Sequence, residues 1–184
     1  MSLIGQLRLF HSCYLSNPPA NRPIYRAIRR SRARKIVELG IGDGSRALRM
    51  IAVAKRASPG RDVEYCGLDR FEDQAESAGP RLTLKGAHQL LGDAGVRVRL
   101  VPGDPPESLV RVANSLGKVD LLILPAELES PSIARVWFFV PRMLHRRSIV
   151  FIEREQPDGR RELDVMPRQT IDGLAAAGAV RRAA

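Results

Sequence analysis

Three glycines and a carboxylate crowd a short segment in the first quarter of the chain. The segment, residues 37–45, reads VELGIGDGS. Because glycine has no Cβ, it lets a backbone adopt positive φ and approach a ligand closely. A loop of this kind between a strand and a helix is typical of sites that bind nucleotides and related cofactors. The sequence therefore predicts that a ligand binds at this loop.

The spacing of the glycines separates three kinds of nucleotide loop. A phosphate-binding loop requires GxxxxGK[ST], which the sequence lacks. A dinucleotide loop requires GxGxxG, and its third glycine would fall where Ser45 stands. The third kind places an acidic residue two positions before GxGxG, as Glu38, Gly40, Gly42 and Gly44 do here. An ordinary tight turn between a strand and a helix is the structural alternative.

Acidic residues also follow two later predicted strands. Asp69 closes the strand predicted at 63–68, near the spacing of about 20 residues from the glycine loop that such folds show. A carboxylate there can accept hydrogen bonds from both hydroxyls of a ribose, although a solvated loop carboxylate is the alternative. Gly103 and Asp104 follow the strand predicted at 96–101, and Asp104 can cap the next helix.

The glycine loop together with Asp69 resembles motif I and the next acidic position of class I S-adenosylmethionine-dependent methyltransferases. Motif I of that family is written E/D-x-G-x-G-x-G. The resemblance covers about residues 34–182 and is nearest to the small-molecule O-methyltransferase branch, through 90–109 and 141–153. It implies an α/β fold, Rossmann-like and doubly wound, with a mostly parallel sheet and helices on both faces. It also implies S-adenosylmethionine as the cofactor.

The resemblance implies a cofactor-binding role for nine residues: Glu38, Gly40, Ile41, Gly42, Gly44, Asp69, Arg70, Gly103 and Asp104. Those of motif I would shape the methionine pocket. Asp69 would hold the ribose, and Asp104 would flank the adenine while capping its helix.

The sequence departs from the family where metal and acceptor chemistry would lie. Pro125 or Ala126 stands where metal-dependent members carry an aspartate, so we expect no metal. Glu127 is a weak candidate for a general base, and a solvated loop or helix-capping residue is the alternative. The family usually ends in a β-hairpin that supplies strands six and seven. Here a full seventh strand is expected to be missing, unless 162–166 pairs with the fifth strand through a turn at 156–159.

The elements that would position these residues alternate along the chain. Strands are predicted at 35–39, 63–68, 96–101, 119–124 and 148–153, with a last short strand at 179–182. Helices are predicted at 45–57, 83–92, 106–116, 132–144 and 170–177, the last closed by Gly178 and the fourth open to interruption at Pro141. Such alternation predicts a parallel sheet covered on both faces. Residues 1–33 are predicted as a helical extension with a loop, and 34–184 as the cofactor-binding domain.

The chain of 184 residues is strongly basic, with a formal charge of +10 and a pI of about 10.7. Arginine outnumbers lysine by 26 to 4, which codon bias in a GC-rich genome explains without any function. The densest clusters lie at 26–35 and 142–147. Cys66 falls in a strand pattern and is expected to be a buried free thiol. Since no apolar run approaches the length of a membrane span, a cytoplasmic location is expected.

Three functions from different classes remain open. The first is a metal-independent methyltransferase acting on a small molecule. The second is a non-catalytic module that keeps the S-adenosylmethionine-binding fold. The third is an RNA-associated protein that uses its basic surface, with the two arginine clusters on one face. A small-molecule methyl acceptor is the expected partner, a homodimer is compatible with the sequence, nucleic acid is not favoured, and no membrane contact is expected.

Overall fold

The computed structural model describes residues 3–73, 82–125, 131–156 and 161–183. The helices in these ranges are α1 (Leu3–Tyr14), α2 (Arg22–Ser31), α3 (Ser45–Ala57), α4 (Leu84–Gly92), α5 (Pro105–Leu116), α6 (Pro131–Met143) and α7 (Arg168–Ala183). The strands are β1 (Lys35–Leu39), β2 (Glu64–Asp69), β3 (Arg97–Pro102), β4 (Val119–Leu124), β5 (Leu144–Glu155) and β6 (Arg161–Val165). Short 3₁₀ helices occupy Pro19–Asn21 and Phe71–Asp73.

The strands form one sheet in the order β3-β2-β1-β4-β5-β6. The first five are parallel, and β6 runs antiparallel to β5. Leu39 pairs with Leu68, and Asp69 with Pro102, so β1, β2 and β3 end at the same edge of the sheet. The predicted α/β fold with a mostly parallel sheet is confirmed.

The helices cover both faces of the sheet, because alternate strand residues enter two separate apolar clusters. In β1, Ile36 packs with the cluster that contains buried residues of α1 to α4. Its neighbour Val37 packs with the cluster that contains residues of α5, α6 and α7. Almost every residue of β1, β2 and β4 is buried, which explains why these strands read as continuous apolar runs. Cys66 lies in the second cluster as a buried free thiol, as predicted, and burial raises its pKa to about 11.

The C-terminal part of the chain corrects the sequence-based prediction. Residues 179–182 belong to α7 rather than to a strand, and Gly178 does not end that helix. Alanine, which has the highest helix propensity, occupies 175–177 and 179 on both sides of Gly178, and this outweighs the one glycine. The antiparallel partner of β5 is instead β6, so the alternative pairing through 162–166 is confirmed. α6 also continues through Pro141 to Met143, so the possible interruption at Pro141 is not observed.

The N-terminal helices pack against the same face as α3. Leu9 and Cys13 of α1 and Tyr25 of α2 join the first apolar cluster. The opposite side of α1 exposes large apolar side chains, those of Leu3, Ile4, Leu7 and Phe10. None of the helices in the described ranges combines the length and apolarity needed to cross a bilayer.

The two outer strands of the described sheet, β3 and β6, are more exposed than the inner strands β1, β2 and β4. In β3, Arg97 and Arg99 are exposed, whereas the intervening Val98 is partly covered. In β6, Glu162 and Asp164 are exposed on either side of Leu163. Each outer strand therefore presents charged side chains.

Candidate cofactor site

The glycine loop joins the end of β1 to the start of α3 at the carboxyl edge of the sheet. Gly40, Gly42 and Gly44 have φ values of +80°, +62° and +76°, a region that other residues rarely adopt. The N–H of Gly40 donates to the carbonyl of Leu68 at 2.8 Å, which ties the loop to β2. A Cβ at Gly40 or Gly42 would meet nothing within 4 Å. The loop therefore borders open space into which its backbone is presented.

Asp69 holds this loop in place from the end of β2. Its Oδ2 accepts the N–H of Ile41 at 2.6 Å and of Gly42 at 3.2 Å, and its Oδ1 accepts the N–H of Phe71 at 3.1 Å. The residue is 5% exposed. Hydrogen bonds from backbone N–H groups stabilise the charged form of a buried carboxylate. The structure thus brings two of the sequence-predicted site elements, the loop and Asp69, into direct contact.

Ile41 packs the loop down onto β2. Its side chain is 3% exposed and lies over Gly67, where a Cβ would come 2.4 Å from Cδ1 of Ile41. A Cβ at Gly67 would therefore force the buried end of the Ile41 side chain to move. Ile41 therefore acts through packing that fixes the height of the loop above the sheet.

Glu38 is fully buried at the end of β1, with 0% exposure. The hydroxyl of Tyr65 donates to its Oε2 at 2.5 Å, and Nε of Arg46 donates to its Oε1 at 2.5 Å. Burial raises the pKa of the Glu38 carboxyl against the opposing effects of Arg46 and Tyr65. Burial, with a further contribution from Glu38, also raises the pKa of Tyr65 well above its usual range.

Arg46 connects three groups of the carboxyl edge from the first turn of α3. Besides Glu38, its guanidinium donates to the Glu153 carboxylate near the end of β5 and to the Gly40 carbonyl. Burial lowers the pKa of Arg46, but the two carboxylates outweigh this and raise it, so the guanidinium stays charged. One cation is therefore shared between two carboxylates at the mouth of the glycine loop.

Gly103, Asp104 and Arg70 lie at the ends of β2 and β3. The N–H of Gly103 donates to the carbonyl of Asp69 at 3.0 Å. Asp104 caps α5 by accepting the N–H of Glu107 and also pairs with the exposed guanidinium of Arg70. The capping role predicted for Asp104 is thus present. A cavity of about 650 Å³ opens beside these residues and is lined by Gly103, Asp104, Glu107, Ser108, Val110, Arg111 and Arg135.

The segment that follows β4, where a metal or general base was considered, is only partly described. Glu127, the weak candidate for a general base, lies outside the described residues. Pro125 directly follows the buried end of β4 and is half-buried. Within 3–73, 82–125, 131–156 and 161–183, no group of three or more metal-ligating side chains comes together.

The sequence analysis did not predict Arg46, Tyr65 and Glu153. Arg46 and Tyr65 contact Glu38 directly, and Glu153 is connected to it through the guanidinium of Arg46. Arg46 lies eight residues after Glu38, and Glu153 lies 115 residues after it, so no local pattern joins the three carboxyl-edge charges. The available signal was their position: each charged side chain stands at a strand end or in the first helical turn after the glycine loop. Charges at that edge of a parallel sheet are candidates for the site.

Comparison with known proteins agrees with this architecture at the level of the fold. No family model matches the sequence, and no curated protein matches it. An O-methyltransferase from Bacillus cereus, solved with S-adenosylhomocysteine, is 16% identical with a TM-score of 0.56, over 96% of this chain and 73% of that one. TomG from Streptomyces achromogenes, an O-methyltransferase of tomaymycin synthesis solved with S-adenosylmethionine, is 14% identical with a TM-score of 0.53, over 91% and 74%.

Other similar structures are longer than this chain. It spans 66% of a structure from Staphylococcus aureus and 41% of the methyltransferase CalH. At these identities the likeness shows the fold. The chain shares the Rossmann-like α/β fold of these methyltransferase structures.

Proposed function

From this fold we propose that the protein binds S-adenosylmethionine at the carboxyl edge and transfers its methyl group to a small molecule without a metal ion. The observation that carries the proposal is the contact between the glycine loop and Asp69, with Glu38 buried beneath the same loop. An acidic strand end, three glycines at positive φ and a second acidic strand end meet there.

The glycine loop fits a cofactor because of the space beside it. Gly40 and Gly42 hold a conformation that favours glycine, yet no protein atom lies where their side chains would be. The positive φ values explain why glycine stands at these positions. The open space beside them leaves the loop backbone accessible to a ligand.

The buried charges suit the methionine end of the cofactor. A zwitterionic amino acid needs an anion for its ammonium and a cation for its carboxylate. Glu153 and Arg46, whose side chains are slightly exposed, supply an anion and a cation, and the fully buried Glu38 holds Arg46 in place. The Gly40 carbonyl, which accepts from Arg46, is a further acceptor for an ammonium.

The other half of the cofactor would lie towards β3. We assign the ribose hydroxyls to Asp69 and the adenine to the side of Gly103 and Asp104, where the cavity of about 650 Å³ opens. Arg70 would border this half through its ion pair with Asp104. The cavity is within the range of about 300–1,000 Å³ that small-molecule sites occupy.

Bound S-adenosylmethionine supplies a methyl group that its sulfonium already activates. The protein then needs mainly to align the acceptor and exclude water, because positioning provides much of the rate. Glu38, Arg46 and Glu153 would orient the cofactor through fixed charges. A metal ion is not required for this, so we expect turnover to be insensitive to EDTA.

Calorimetric titration with S-adenosylmethionine and S-adenosylhomocysteine tests the cofactor site. The wild type should bind both with micromolar affinity, and Gly42→Val and Asp69→Ala should each abolish detectable binding. Gly60→Val is the matched control, because Gly60 has a φ of +70° and equally open surroundings but lies just before β2, at the other edge. It should bear the same backbone strain and retain affinity.

Absence of binding to the wild type would overturn the proposal, as would equal losses in Gly42→Val and Gly60→Val. Binding with no methyl transfer across a broad panel of small acceptors would instead favour the non-catalytic module.

A further inference from the structure

The opposite edge of the sheet, where the parallel strands begin, carries a group of exposed basic side chains. We call this group the basic edge; it consists of Arg32, Arg34, Lys118, Arg142, Arg146 and Arg147. Arg32 and Arg34 precede β1, Lys118 precedes β4, and the others stand at the end of α6 and the start of β5. Since β1, β4 and β5 are neighbours in the sheet, these starts lie side by side.

Asp120 joins the two halves of the basic edge, which are more than 100 residues apart in the chain. Its Oδ2 accepts the N–H groups of Arg34 at 2.8 Å and Lys35 at 2.9 Å. Its Oδ1 lies 2.8 Å from Nε2 of His145. The arginine clusters at 26–35 and 142–147 therefore meet on one surface.

Lys118 strengthens the connection between β4 and β5. Its Nζ donates to the carbonyls of Arg142 at 2.9 Å and Leu144 at 3.0 Å. The lysine charge thus stands at the C-terminal end of α6, where a cation is favoured. The basic edge is held by backbone contacts and is a fixed feature of the fold.

The charge of this surface is not neutralised by nearby acids. Within the described residues, none of the six basic side chains forms an ion pair with a carboxylate. Asp120 already accepts two backbone N–H groups and contacts His145. The acids at the start of β2, Asp62 and Glu64, are paired with Arg97 and Lys35.

The spacing of the charges fits a polyanion better than a single anion. Neighbouring strands are about 4.8 Å apart, so the three strand starts span about 10 Å. Each strand of a nucleic acid duplex carries one phosphate per about 3.4 Å of helix axis, so its backbone is a continuous row of negative charges. The basic edge is long enough to face more than one phosphate of such a row.

A lipid surface fits less well, since membrane-binding surfaces combine basic with apolar side chains. The exposed large apolar residues among those described lie on α1 and at Leu15 and Val165, outside the segments of the basic edge.

We propose that the basic edge binds the phosphate backbone of a nucleic acid. Arginine forms paired hydrogen bonds with phosphate oxygens, and such contacts carry no sequence information. Binding should be independent of sequence and should weaken steeply with salt. The glycine loop lies at the other end of the strands, so the inference stands apart from the proposed methyl transfer.

Fluorescence anisotropy with labelled 20-nucleotide single-stranded RNA, single-stranded DNA and an RNA duplex, at 50–300 mM salt, tests this surface. The variant Arg34→Gln/Arg146→Gln/Arg147→Gln removes three charges from the basic edge. Arg8→Gln/Arg161→Gln/Arg168→Gln removes three exposed arginines elsewhere and is the charge-matched control. The first variant should bind at least about tenfold more weakly, with a salt slope smaller by about 2, while the control stays near the wild type.

The three nucleic acids distinguish RNA from DNA as the source of the phosphates. Equal weakening in both triple variants would overturn the proposal, because net charge alone would then explain binding. Absence of wild-type binding to all three at 50 mM salt would also overturn it, as would tighter binding to phosphatidylserine vesicles than to RNA. Calorimetry with S-adenosylhomocysteine on the same samples reports the carboxyl edge separately, so failure of one proposal is distinguishable from failure of the other.

Discussion

Arg46 shows how much of a buried site one side chain can hold. Glu38 has no contact with water, and Glu153 is only 9% exposed. The guanidinium contacts both carboxylates, so their charges depend on it. Removing one member of a buried ion pair leaves the other member's desolvation uncompensated.

We therefore expect Arg46→Met to lower the free energy of unfolding by about 3–5 kcal/mol, measured by urea denaturation. Glu38→Gln combined with Arg46→Met should recover part of this loss, because one of the two carboxylates left without its cation is then neutral. Arg56→Met on the same helix is the control, since Arg56 donates a hydrogen bond to the carbonyl of Ala52 within α3 and forms no ion pair among the described residues. A loss below about 1 kcal/mol in Arg46→Met would contradict the interpretation.

Ionisation of the Asp120 carboxyl makes the free energy of unfolding depend on pH. Burial raises the pKa of its carboxyl, but the N–H groups of Arg34 and Lys35 and the contact with His145 outweigh burial and lower it. A lowered pKa stabilises the fold above the ordinary value of about 3.9, and this contribution is lost as pH falls towards the lowered value.

Asp120→Asn should thus reduce the free energy of unfolding by about 1–3 kcal/mol at pH 7, and the difference from the wild type should shrink below about pH 4. Chemical denaturation from pH 7 to pH 3 measures both. Asp93→Asn, a change of an exposed aspartate after α4, should leave the pH profile unchanged. A wild-type advantage that stays constant to pH 3 would show that ionisation is irrelevant.

At the scale of the elements, the glycine loop packs on β2 at Gly67, which has no side chain. Gly67→Ala would place its Cβ 2.4 Å from Cδ1 of Ile41, so we expect a loss of about 1–3 kcal/mol. Ile41→Val removes that Cδ1 atom. The double variant should therefore lose less free energy of unfolding than the two single variants together. Thermal unfolding of the four proteins gives the coupling.

Gly92→Ala is the matched control for this cycle, because nothing lies within 4 Å of its Cβ position and α4 ends there. It should be neutral or slightly stabilising. Additive losses for Gly67→Ala and Ile41→Val would show that the two positions do not meet.

The elements were predictable wherever local periodicity and burial agree. β1, α3 and β4 begin and end where the sequence pattern places them, because their apolar residues are buried and a glycine or proline lies close to their ends. At 179–182 the prediction was wrong, since four residues show no clear period and the continuation of α7 decides their state. The sequence alone also could not reveal that Glu153 and Glu38 share Arg46, because the topology of the sheet brings the two carboxylates to the same guanidinium.

At the scale of the whole molecule, the glycine loop and the basic edge lie at opposite ends of the strands. A strand of six residues spans about 20 Å, and the Debye length is about 8 Å at physiological salt. Charges at one end are therefore screened from the other. We expect the Arg34→Gln/Arg146→Gln/Arg147→Gln variant to keep its affinity for S-adenosylhomocysteine within about twofold, measured by calorimetry at 0.15 M salt. A larger change would mean that the two edges are coupled.

The charged side chains of β3 and β6 limit how a neighbouring molecule can pair with the edges of the sheet. A strand that added to β3 would have to pack beside Arg97 and Arg99, and one that added to β6 would meet Glu162 and Asp164. Charged outer strands discourage the pairing that leads to aggregation. In a concentrated solution, neighbouring copies should therefore not continue one another's sheets. Assembly, where it occurs, should use helix surfaces such as the exposed apolar side of α1.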